Sequence, residues 1–250
     1  MKTKRIGVMK IWLSCLAVMS VFIFQSCSEN EDSAVPLTEL VIGIQHSVGG
    51  KSLVFDSVMY ENEAGEKYGI SKLKYYLSTL RFYQGGRQVL LVDTVLYVDA
   101  RKTTTLRVPN VPAGTYDSIV VHVGVPPAFN HHENLPVTSE NLAMQWPDGM
   151  GGGFHFLMLE GHWVDGPDQF GFAMHLGTDP YLVTSVIRAV PVIKGDTEHK
   201  LTIIMDANEW FKTPTTYSFS EDGVYTMGVP ALMRTIADNG GDVLSIKTPE

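Results

Sequence analysis

From Leu40 onward, apolar and polar positions alternate with period two in short runs broken by Gly, Pro and Asn. Such alternation sends successive side chains to opposite faces of an extended segment, so each run predicts a half-buried strand. The first covers residues 40–46 and places His46 on the face of Leu40, Ile42 and Ile44. Further strands are predicted at 73–83, 89–98, 104–108, 118–125, 154–160, 169–176 and 200–206. The 154–160 run is apolar on both faces, which marks a central strand. Gly85-Gly86 predicts a hairpin turn, and Pro109 to Gly114 a turn before the next strand. Helical signal is limited to single turns at 139–143 and 207–212. Many short strands without intervening helices predict an all-β fold, an antiparallel β-sandwich of Greek-key or jelly-roll type. It forms a single domain over 39–237, followed by a loosely packed polar C-terminal tail at 238–250.

The N-terminus departs from this pattern. Lys2, Lys4, Arg5 and Lys10 precede an almost wholly apolar run from Ile11 to Phe24. That run is short for a membrane span and reads as an export signal. It ends in Phe24-Gln25-Ser26-Cys27, a lipoprotein cleavage box, so 1–26 is expected to be removed and Cys27 lipidated. Residues 27–38 then form a tether whose Ser28-Glu29-Asn30-Glu31-Asp32-Ser33 is acidic. It serves either as a flexible spacer or as a surface-export signal. The expected location is the outer membrane, facing the periplasm or the exterior. Cys15 lies in the signal, so the mature domain has neither a disulfide nor a thiol metal site. A core built from roughly 200 residues must suffice.

The formal charge is −8, and losing the four basic residues of the signal makes it more negative. Without a basic patch to neutralise phosphate, nucleic acid is excluded as a partner.

Histidine carries the remaining chemistry. His155 follows Gly151-Gly152-Gly153-Phe154, His175 lies in Phe172-Ala173-Met174-His175-Leu176-Gly177, and His46 ends the first strand. Each alone is also explained as a hydrogen-bonded core residue. Together, three strand-end histidines point to a metal. His131 and His132 in a polar loop, and Met144, are secondary ligand candidates; His122 and His162 are weaker ones, and His199 reads as solvent-facing. Imidazole with thioether favours copper over magnesium or calcium, although Met158 reads better as a core filler. Zinc on three histidines with an open position is also chemically reasonable. No G-x-S-x-G elbow, H-E-x-x-H motif or P-loop occurs, and Glu160, Asp165 and Asp168 read as ordinary surface carboxylates. A binding protein is therefore expected, not an enzyme.

These elements, in order, resemble the MbnP-like copper-binding proteins over residues 40–227. They are Gln45-His46-Ser47-Val48-Gly49-Gly50, Tyr60-Glu61-Asn62-Glu63-Ala64-Gly65, Ile70 to Ser78, Pro112 to Ile119, and Val123-Gly124-Val125-Pro126. Met144-Gln145-Trp146, the Gly-aromatic-His stretch, Leu159-Glu160-Gly161 and the Phe172 to Gly177 element complete the set. The resemblance implies a mononuclear copper site in a β-sandwich, with His46 and His175 as ligands. It also implies that Trp146 lies near the metal as a kynurenine precursor, oxidised by a dihaem peroxidase-like partner. A transporter is the other partner implied. The chain departs from the family pattern by having Trp146-Pro147 without a second tryptophan, and by placing His155 after the aromatic residue. His155 is thus expected to replace a lost ligand.

The resulting expectation is copper binding, as Cu(I) or Cu(II), on His46, His155 and His175, for uptake, storage or delivery. The alternative is a non-metal surface module for glycans, peptides or an outer-membrane partner. That reading requires Trp146, Trp163 and Trp210 to form exposed platforms.

Overall fold

The computed structural model describes residues 35–247. The signal, Cys27 and the acidic tether up to residue 34 lie outside the described residues, as do residues 248–250. The strands are β1 (Leu37–Val48), β2 (Lys51–Ser52), β3 (Tyr60–Glu61), β4 (Lys67–Gln84), β5 (Arg87–Asp99), β6 (Thr104–Pro112) and β7 (Ser118–Val123). After a short helix α1 (Ser139–Ala143) come β8 (His155–Asp165), β9 (Asp168–Gly177), β10 (Val183–Arg188) and β11 (Glu198–Asp206). Helix α2 (Pro230–Asn239) and strand β12 (Leu244–Ile246) complete the order.

Among the described residues the strands form two sheets. One runs β12-β11-β1-β2, with β6 also paired to β1; the other runs β10-β7-β4-β8-β9, with β3 and β5 paired to β4. Pairing is antiparallel except between β1 and β11, which run parallel with Ile42 opposite Leu201. The sandwich is therefore not purely antiparallel, because β11 returns to β1 through a crossover and not a hairpin.

The inner faces follow the alternation. Leu40 and Ile42 of β1, Leu157 and Leu159 of β8, and Met174 and Leu176 of β9 are fully buried. Each such side chain stabilises the fold by about 1.5–3 kcal/mol relative to exposure. Aromatic rings fill a second part of the core, with Phe172 stacked on Phe219 at 4.7 Å between centroids and Tyr68 edge-on to Phe211 at 5.4 Å. Gly85 and Gly86 take positive φ in the β4–β5 hairpin, as the turn requires.

The C-terminal region corrects the expectation of a loose tail after residue 237. Helix α2 buries Met233, Ile236 and Ala237. The Asn239 side chain donates to the Trp210 and Thr215 carbonyls at 3.0 and 2.7 Å. Strand β12 then pairs with β11, and Val243 and Leu244 are buried. Few apolar residues mark this segment, so its hydrogen bonds and its edge pairing were invisible to a periodicity argument.

Candidate metal centre

The site forms on the outer face of the second sheet, at the start of β8 and the end of β9. Along β9, Phe172, Met174 and Leu176 point into the core, so Ala173, His175 and Gly177 point outward. Strict alternation along β8 would put His155 inward with Leu157 and Leu159. A register shift prevents this: His155 pairs with Gly177, but Leu157 pairs with Leu176, leaving Phe156 as the extra residue of a bulge. One additional residue moves His155 to the outer face. Gly124 leaves room for the Phe156 ring, since a Cβ there would come within 2.7 Å of it.

The segment 144–153 folds over this outer face. Trp146 donates its amide to the Gly153 carbonyl at 2.8 Å, and the His155 amide donates to the Met144 carbonyl at 2.7 Å. The indole lies on Gly177, where an added Cβ would meet ring carbons at 2.3 Å, and its Nε1 donates to the Met150 carbonyl at 3.1 Å. Trp146 and His155 meet at 4.8 Å between ring centroids, and His155 and His175 at 5.1 Å with planes 87° apart. Beside β9, Thr226 is buried and clasps the His175 backbone, accepting from its amide and donating to its carbonyl, both at 2.7 Å.

The hydrogen bonds set the tautomers. His155 Nδ1 lies 3.2 Å from the Met144 carbonyl. A carbonyl only accepts, so the neutral ring carries its proton on Nδ1 and leaves Nε2 with a lone pair. His175 Nε2 lies 2.9 Å from Glu160 Oε1, so a neutral His175 ring donates from Nε2 and has Nδ1 bare. Neither bare nitrogen has a protein hydrogen-bond partner among the described residues. Burial, and then the neighbouring His175, push His155 down to about 4. Glu160 falls to about 2, chiefly through the hydrogen bond from His175 and further through Lys72, whose Nζ lies 2.8 Å from Oε2.

His46 does not join this pair. It points from β1 into the space between the sheets, where its Nε2 lies 2.9 Å from the Tyr75 hydroxyl and burial lowers it to about 4. Tyr75 belongs to the inner face of β4, whereas Glu160 and His175 occupy the outer face of the same sheet. His132 Nε2 lies 3.2 Å from the Trp146 carbonyl and its Nδ1 3.5 Å from Asp148, which gives it a supporting place under the 144–153 segment. His131 is exposed, and Met144 is fully buried, contributing its carbonyl to His155. Among the described residues no three His, Cys, Asp or Glu side chains converge as a metal group. Lys72 and Glu160 were missed at the sequence level, where Glu160 read as a surface carboxylate; the register that brings both to the face of His175 leaves no signal along a single strand.

Trp146, Trp163 and Trp210 are 1 %, 7 % and 0 % exposed, so they form no surface platform. Among the described residues no helix is long and apolar enough to cross a membrane.

A family model described as MbnP matches residues 38–229. Among solved structures, MbnP from Methylosinus trichosporium superposes with a TM-score of 0.55 at 15 % identity, covering 86 % of this chain and all of that one. At that identity the likeness concerns the fold. No curated protein matches the chain.

Proposed function

The chain belongs to the MbnP family, and from that premise we propose that it binds one copper ion on His155 and His175, beside Trp146. The observation that carries this reading is the paired imidazoles with one bare nitrogen each. Two imidazoles holding a common ion at ~2 Å, near the tetrahedral angle, have centroids roughly 5 Å apart. The observed 5.1 Å fits that spacing. The other nitrogen of each ring is held by a carbonyl or a carboxylate, the outer support usual for metal-bound histidine.

The donor set favours Cu(I). A d¹⁰ cuprous ion accepts two or three nitrogen or sulfur donors, whereas a structural zinc site takes four. Two histidines and a nearby indole serve the former better, and His46 is left to a structural role with Tyr75. If Trp146 is converted to kynurenine by a dihaem peroxidase-like partner, the new groups would arise beside His155. The chain would act without turnover, as an exported lipoprotein anchored at Cys27 in the outer membrane, in copper uptake, storage or delivery with that partner or a transporter.

The test is metal content by mass spectrometry after purification without chelator, followed by Cu(I) titration against a competing chelator. About one tightly held copper per chain, lost in both His155→Ala and His175→Ala, supports the reading. Copper retained by both variants overturns the assignment.

A further inference from the structure

Among the described residues Glu160 is the one carboxylate hydrogen-bonded to the pair, and its two oxygens are already engaged. Lys72 Nζ lies 2.9 Å from Oε1 and 2.8 Å from Oε2, and His175 Nε2 lies 2.9 Å from Oε1. The three groups come from neighbouring strands in register, since Lys72 of β4 pairs with Glu160 of β8, and Glu160 with Ala173 of β9. The ammonium straddles the carboxylate, and both side chains are partly shielded from water. No side chain among the described residues competes for Lys72 at salt-bridge distance.

Glu160 meets His175 at Nε2, the edge away from the bare Nδ1, so it stands behind the ligand and acts through its charge and its hydrogen bond. Here the carboxylate faces a cation and an N–H. The lock also makes the surroundings neutral, because the ammonium cancels the carboxylate, so the pair offers two imidazoles and no net negative charge. Such a site discriminates against doubly charged ions, whose binding gains most from an anionic ligand.

We propose that Lys72 and Glu160 together determine which metal the histidine pair accepts. Glu160 is a positioning residue that keeps the His175 proton on Nε2 and leaves Nδ1 bare, and Lys72 cancels the Glu160 charge behind the site. This deepens the copper reading and rests on it for the choice of metal, but the positioning role is visible without any metal.

The experiment uses the full-length protein in two arms. In the first, ¹⁵N chemical shifts of the His175 ring are recorded without metal. Wild type should show a single tautomer protonated at Nε2, Glu160→Gln should keep it because the amide oxygen still accepts, and Glu160→Ala should mix the two tautomers. A mixed tautomer in wild type, or an unchanged one in Glu160→Ala, overturns the positioning role. In the second arm, Zn(II) and Cu(I) affinities are measured for wild type, Lys72→Met and Lys72→Gln. Removing the ammonium leaves the Glu160 charge uncancelled and should raise Zn(II) affinity relative to Cu(I) by about tenfold or more, the usual scale of outer-support effects. An unchanged ratio in both variants overturns the selectivity role. Wild type that binds neither ion refutes the copper reading, and with it the selectivity role, while the first arm still decides the positioning role.

Discussion

His155 and His175 meet at 5.1 Å between ring centroids because β8 takes up Phe156 in a bulge. Were Phe156 held in strict alternation, the two rings would sit on opposite faces of one sheet. Deleting Phe156 joins His155 directly to Leu157, so His155 should stay opposite Gly177 on the outer face and copper binding should survive, with lower stability for the loss of the buried ring. Copper titration, with circular dichroism to confirm the sheet content, checks this; copper lost from a folded variant would show that the bulge does not set the face of His155.

The histidines should separate by variant. His155→Ala and His175→Ala are each expected to lower Cu(I) affinity by orders of magnitude. His46→Ala should leave copper stoichiometry unchanged and instead lower the melting temperature, since it removes the partner of the buried Tyr75 hydroxyl at a cost of about 1–3 kcal/mol. Chelator competition and thermal melts on the three variants distinguish the two roles.

Copper should quench tryptophan emission, because the Trp146 indole lies 4.8 Å from the His155 ring. Titrating Cu(I) into wild type and Trp146→Phe and following fluorescence provides the check. Quenching that survives in Trp146→Phe would place the ion elsewhere.

Gly177 carries the indole, and a methyl there would sit 2.3–2.8 Å from its ring carbons. The strand backbone on one side and a rigid bicyclic ring on the other leave little room to adjust. Gly177→Ala should destabilise the protein by about 1–3 kcal/mol and weaken copper binding as Trp146 moves off the site. Denaturant unfolding measures the first effect and chelator competition the second.

Stability should fall in acid in two steps. The ordinary histidine value is 6.5, and both His46 and His155 are lowered to about 4 by burial, so the unfolded chain takes up their protons first. Their contribution is complete above pH 6.5 and is lost as pH falls toward 4. For His155 it amounts to about 3 kcal/mol at about 1.4 kcal/mol per pH unit. Glu160, lowered to about 2, adds a further loss between 4.5 and 2. Melting temperatures from pH 7 to pH 3 should show the first decline beginning near 6.5, and a smaller one in His46→Asn.

The strands of the sandwich were legible because two packed sheets impose period two on their inner faces. The runs at Leu40, Leu73, Val89, Ser118, Phe154 and Gln169 all became strands. Strand β10, helix α2 and strand β12 were not legible, being short or weakly apolar and held largely by packing and edge pairing. Trp146 beside a histidine followed from the family resemblance, and the shared outward face of Gly171, Ala173 and His175 followed from alternation.

The amino-acid sequence by itself determined the fold class, the family and the set of histidines on strand ends, because burial patterns and ordered motifs are local properties. Only the tertiary structure decided which histidines meet. A bulge is a property of two paired strands, and one inserted residue exchanges the faces of a sheet, bringing His155 to His175 and leaving His46 with Tyr75. The Lys72–Glu160–His175 chain likewise joins three strands through register alone, which no spacing along a single strand encodes.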